Sequence, residues 1–354
     1  MPLSRRRLLA AGLGLTVLPL AARAGSGAET VLLSAGWTGS EDWRAGTTGR
    51  ASIALPERGH VLLPDPLRPG EAIVVARRPG YFLARIDWRA GKLLKLFRLE
   101  DERNLVGHAI FSQDGRRLIS AETDERSGEG RLAIRDAVSF KRLEDRPSHG
   151  VGPHELLWLD RHTLAVANGG ILTLPETGRY KRNLDRMEPS LALIDARDGG
   201  LLASHRLADQ RLSIRHLALA GDGALGIALQ NQGNAAASLL AILRDGEFRL
   251  ADCPAELAGA MRGYAASLAA LGQRFLMPCP HGDLLTEWDS QGRPLAQRSL
   301  PKAVGAAALA GDWWCSGEGG GLWRLAPDGL ALRESRQVAG ISWDNHLSVA
   351  HLPA

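Results

Sequence analysis

The feature that most constrains this chain is a repeat. A short strand opening on histidine leads through a turn into a second, apolar strand, and the unit recurs. It appears as Gly59-His60-Val61-Leu62-Leu63, Gly107-His108-Ala109-Ile110-Phe111, Gly152-Pro153-His154-Glu155-Leu156 and Arg215-His216-Leu217-Ala218-Leu219. Asn345-His346-Leu347-Ser348-Val349 opens a last copy near the C-terminus. Each unit continues with a second hairpin. Phe82 to Asp87 precedes Gly91, Leu191 to Asp195 precedes Gly199, Leu284 to Asp289 precedes Gly292, and Leu322 to Ala326 precedes Asp328-Gly329. Alternating apolar residues bounded by turn residues that tolerate positive φ read as antiparallel strands.

Two hairpins make a four-stranded unit. Units start near His60, His108, His154, His216, Ala265, Gly305 and His346, at spacings of 48, 46, 62, 49, 40 and 41 residues. That period is the blade length of a β-propeller. The expected fold is all-β: a seven-bladed propeller of four-stranded antiparallel blades. The seventh unit has one strand before the chain ends. Thr30 to Ser34, the region around Trp43, and Ala51 to Leu55 are expected to complete it, so that N- and C-terminal strands share a blade and no sheet edge stays open. A β-sandwich would not explain the regular period. The only helical candidate runs from Pro254 to Ala270, where it overlaps a strand position.

The long third spacing has a local cause. Residues 171–190 are rich in Pro, Gly and charge and read as an insertion between the second and third strands of blade 3. In a propeller, loops of that class share a face with the starts of the innermost strands. Long loops on a rigid scaffold are where function usually sits.

Residues 1–24 are set apart from the fold. Ser4-Arg5-Arg6-Arg7-Leu8-Leu9 is a twin-arginine n-region, Ala10 to Leu20 is a short apolar run, and Ala22-Arg23-Ala24 offers a cleavage site. Together they read as a Tat-type signal peptide, which places a single propeller domain, residues 25–354, in the periplasm with no stable membrane insertion after cleavage. The segment carries four arginines and no acid, so its removal takes the formal charge from +4 to zero. The basic balance therefore belongs to the leader and gives no support for nucleic-acid binding. Cys253, Cys279 and Cys315 form no CxxC or CxxCH motif, which leaves no covalent haem site and no thiol-redox pair.

Several segments resemble a known family. They are Gly107 to Ser112, Gly152 to Leu156, Val166-Ala167-Asn168-Gly169-Gly170-Ile171, Asn183 to Leu191, Ser213 to Leu217 and Trp343-Asp344-Asn345-His346. The resemblance is to the uncharacterised Tat-exported family, domain of unknown function 1513. It implies a seven-bladed WD40/YVTN-like propeller in the periplasm. It also implies an association with imelysin-type iron-uptake proteins, hence a periplasmic partner of that type and a place in iron acquisition. No activity comes with it.

Equivalent positions in successive blades meet around the channel axis, so His60, His108, His154, His216 and His346 form a candidate metal site, for iron or copper. Glu122, Asn168, Gln230 and Glu318, at the ends of second strands, and Arg179 in the insertion are expected at the same mouth. A carboxylate beside the imidazoles would favour iron. Arg77-Arg78, Arg179, Lys181 and Arg182 could rim the mouth for a carboxylate or phosphate, or form a solvated face. Two readings of the histidines stand: ligands of an ion, or residues hydrogen-bonding within their own blades. His149, His162, His205 and His351 fall out of phase and read as surface residues, while His281 fits either the mouth or a turn. The function that follows is metal or partner binding at the channel mouth; the alternative is a metal-dependent lactonase or oxidoreductase. No nucleophile elbow, P-loop or dinucleotide signature is present.

Overall fold

The computed structural model describes residues 29–173 and 181–352. Residues 1–24, read from the sequence as a leader, and Arg179 lie outside the described residues. Seven antiparallel sheets follow one another along the chain. Blades 1 to 6 occupy residues 59–98, 103–151, 153–205, 212–250, 269–299 and 303–337. Blade 7 is composite. Ser342–Trp343 and Ser348–Leu352 both pair with Glu29–Thr38, and Asp42–Thr47 and Arg50–Ala54 complete the sheet. The ring closes as the sequence predicts. The first strand of each blade touches the first strand of the next, and Ser348–Leu352 touches those of both blade 6 and blade 1.

Position within a blade decides composition. Second and third strands are sandwiched between neighbouring blades on both faces, so Glu71–Ala76 and Phe82–Asp87 are buried almost throughout. Fourth strands form the outer wall and are mostly exposed, as in Lys92–Arg98 and Leu332–Gln337. Apolar layers between blades, including the fully buried Phe82, Phe275, Trp288, Trp313 and Trp343, supply the main stabilising force.

The Pro254–Ala270 stretch divides. Ala255–Ala260 forms a short helix and Ala269–Leu271 the first strand of blade 5. The chain from 171 to 189 connects Thr163–Asn168 to Ser190–Asp195. Its described base is pinned by buried Asn183, which donates to Gly170 O at 2.9 Å and accepts from Leu172 N at 2.8 Å. All three cysteines are free. Among the described residues no helix is long and apolar enough to cross a membrane.

Candidate metal centre

A regular strand sends alternate side chains to its two faces. In a propeller both faces of a first strand meet neighbouring blades, so an axial side chain needs a break in the alternation. Each histidine sits at such a break. The pairing register slips between Gly59 and Leu62, Leu105 and Ala109, Pro153 and Leu156, and Ile214 and His216. In blade 7 the segment 344–347 separates the two stretches that pair with Glu29–Thr38. Bulges of this kind re-aim a side chain. Blade 6 carries the same slip around Val304, and blade 5 has Tyr264 and Ala265 in place of histidine.

The five imidazoles pack against one another in the channel. Ring centroids lie 4.5 Å apart for His60–His346 and His108–His154, and 4.8 Å apart for His154–His216 and His108–His346. His216 and His346 meet across the channel at 5.1 Å. Gly107 makes room for this. Its φ is +106°, and a Cβ there would stand 2.4 Å from a ring carbon of His60. Two overlapping triads result: His60, His108 and His346, and His108, His154 and His216. In each, one ring nitrogen per residue lies within 4.8 Å of the others.

Two of the five rings are oriented by carboxylates. His60 Nδ1 lies 2.6 Å from Asp344 Oδ1, and His216 Nδ1 lies 3.0 Å from Glu155 Oε2. Each pairing leaves Nε2 for the channel, as an outer carboxylate does for a metal-bound histidine. The other three have buried ring nitrogens with no partner: His108 Nε2, His154 Nδ1 and His346 Nε2. Among the described residues, none of the five rings hydrogen-bonds within its own blade.

Burial keeps His60, His108, His154 and His346 neutral, the form that binds metals. Burial pulls His60 down to about 4, against the upward pull of Asp344. Burial, followed by His346, His60 and His216, holds His108 far below the ordinary imidazole range. Burial, reinforced by neighbouring histidines, does the same to His154 and His346. Burial pushes Asp344 upward, but Arg77, His60 and Arg58 outweigh it and hold the carboxyl well below the usual carboxylate range.

The other expected mouth residues separate. Gln230 lines a cleft over His60, His154 and His216, and its Nε2 donates to Ala265 O at 3.2 Å. Glu122 does not reach the mouth. It is buried in an ion pair with Arg135 at 2.8 Å, which Glu100 completes from the other side. Asn168 is also turned inward, donating to Ser148 O at 3.0 Å. Glu318 sits on an exposed turn, 3.9 Å from Lys302 Nζ. His281 stacks on Tyr264 at 4.4 Å and so backs the rim. His149, His205 and His351 bond or pack away from the channel. Asp344, Glu155, Arg215 and Tyr264 are not among the site residues the sequence singles out.

Comparison with known proteins bears on fold and family. The chain is similar to the solved structure of U3-55K, with 14% identity and a TM-score of 0.58 over 81% of this chain and 84% of that one. The WD40 repeats of RRP9 give 13% identity and a TM-score of 0.58 over 81% and 82%. The computationally designed Ika8 protein gives 11% and 0.55 over 91% and 96%. At such identities the likeness is one of fold. No curated protein matches the chain. Residues 53–350, from the closing blade through the last channel strand, match a family described as protein of unknown function (DUF1513), and the chain belongs to that family.

Proposed function

We propose that this propeller is an exported, periplasmic metal-binding protein that holds a late first-row transition ion on its channel imidazoles. One observation carries the reading: three buried ring nitrogens without partners, on His108, His154 and His346, face two histidines already oriented by Asp344 and Glu155. An unsatisfied buried polar atom costs ~1–3 kcal/mol. Three in one cluster amount to a standing cost that an ion would relieve. The twin-arginine leader supports the compartment.

The donor set also speaks to the ion. With Glu122 held by Arg135, and Asp344 and Glu155 bonded to histidine Nδ1, no carboxylate among the described residues is left as a further ligand beside the imidazoles. An all-nitrogen set binds Cu(II) most strongly among divalent first-row ions, with Zn(II) and Ni(II) behind. That weakens the case for iron, which rested on an adjacent carboxylate and on family association. It also favours binding over catalysis, because the two carboxylates that touch the cluster, Asp344 and Glu155, are both occupied by histidine Nδ1. Metal analysis of protein purified from the periplasm tests the reading. A stoichiometric ion per chain is expected, copper before zinc. A metal-free protein that gains no thermal stability from added Cu(II) or Zn(II) would overturn it.

A further inference from the structure

The cleft over the histidines is charged in one sense. Among the described residues its wall holds Arg77, Arg78, Lys181 and Arg215, together with Tyr264, Gln230 and Asn345, and no carboxylate. Arg77 is neutralised by Asp344 at 3.1 Å. Among the described residues no such partner stands beside Arg215. It is 3% exposed, its Nε is buried without an acceptor, and its guanidinium lies against the backbone of Gly169. Burial, followed by the nearby Arg78, brings Arg215 down to about 9. Burial, Arg215 and Arg78 lower Lys181 as well. Tyr264 Oη accepts from Asn345 Nδ2 at 3.3 Å, which leaves its own proton free to donate. The cleft encloses about 190 Å³, below the ~300–1,000 Å³ of pockets for drug-sized ligands.

We propose that this cleft is a binding site for a small oxyanion of two or more negative charges, a dicarboxylate or a phosphate, held by Arg215 with Lys181, Arg78 and the Tyr264 hydroxyl. A buried guanidinium with an unsatisfied N–H is the residue type best suited to carboxylate and phosphate oxygens. Because His60, His154 and His216 share the wall, the anion lies beside the proposed ion and can complete its coordination. The anion site itself needs no metal, since its cations belong to the chain.

The test is calorimetric titration of chelator-treated, metal-free protein at low ionic strength with oxalate, with inorganic phosphate, and with chloride as control. Saturable binding of oxalate or phosphate is expected, and the tighter arm identifies the class. Arg215→Met should weaken it about tenfold or more, the scale of one charge-assisted bond. Arg215→Met should also melt no lower than the parent, since it removes a buried cation that has no acidic partner among the described residues. If that variant fails to fold, Lys181→Met at the rim gives the same reading with a smaller loss. No binding of either anion, or unchanged affinity in both variants, overturns the proposal. A parent that carries no metal yet binds oxalate would sink the metal reading and leave the anion site standing.

Discussion

His60, on the first strand of blade 1, shares a 2.6 Å hydrogen bond with Asp344, which lies 284 residues away in the closing blade. The same carboxylate receives Arg58 and Arg77 and caps the backbone N–H of Asn345 at 2.8 Å. One fully buried acid therefore ties blade 1 to blade 7 and orients a channel imidazole. Ring closure and the candidate site depend on the same side chain.

Asp344→Asn should disturb both. The amide keeps the shape but meets two guanidinium groups with a donor on one side and without charge on the other. Breaking one side of a buried pair costs ~3–5 kcal/mol. Thermal unfolding should shift down accordingly. Metal affinity should fall about 10–100-fold, the usual loss when a carboxylate behind a ligating histidine is removed. A variant that loses stability but keeps full affinity would make Asp344 a closure residue alone.

The five histidines should divide into two groups on substitution. In the metal-free protein His108, His154 and His346 each have a buried ring nitrogen that satisfies nothing. Replacing any of them with alanine should cost packing but strand no hydrogen-bond partner. His60→Ala and His216→Ala instead leave Asp344 and Glu155 short of a donor, adding ~1–3 kcal/mol. Metal binding should fall in all five, and most in His108→Ala, because His108 belongs to both triads. Melting temperature and bound metal measured on the same five proteins separate the groups. Equal losses of stability with undiminished metal would return the histidines to a structural role.

Much of this was legible in the sequence because it is periodic. Hairpins recur at blade spacing, and closure follows from counting a final unit with one strand. The histidine set was legible for the same reason, since one position per blade maps to one axis. Glu122 shows where that logic stops. The ends of second strands were expected at the mouth, but a strand sends successive side chains to opposite faces, and a one-residue register slip reverses them. The slip between Leu105 and Ala109 is invisible in sequence, and Glu122, opposite Leu105, faces Arg135 instead. Asp344 and Arg215 were hidden differently. Arg215 adjoins His216 and Asp344 stands two residues before His346, yet the role of each comes from residues of distant blades or from the absence of an acid nearby among the described residues.

Export can be checked without reference to the site. Replacing Arg5 and Arg6 with lysine should leave precursor in the cytoplasm, while the parent gives a mature periplasmic form beginning near Gly25. Equal periplasmic levels of the two would refute the leader reading and, with it, the compartment proposed for metal loading.

The last prediction concerns acid. His60 in the folded, metal-free chain titrates at about 4, and burial lowers His108, His154 and His346 in the same direction. In the unfolded chain all four titrate near 6.5. Between these values the unfolded state binds more protons than the folded state, so falling pH favours unfolding. The stabilisation from keeping these rings neutral is fully present above about pH 6.5 and is lost progressively toward pH 4. Thermal unfolding of metal-free protein should therefore shift steeply downward from pH 7 to pH 4. A bound ion should be released over the acid part of that window, since protonation competes for the same nitrogens. In His60→Gln the slope of stability against pH should be shallower, because one of the depressed groups is gone. A parent whose melting temperature stays flat from pH 7 to pH 4.5 would contradict the neutral-imidazole cluster itself, whether or not a metal occupies it.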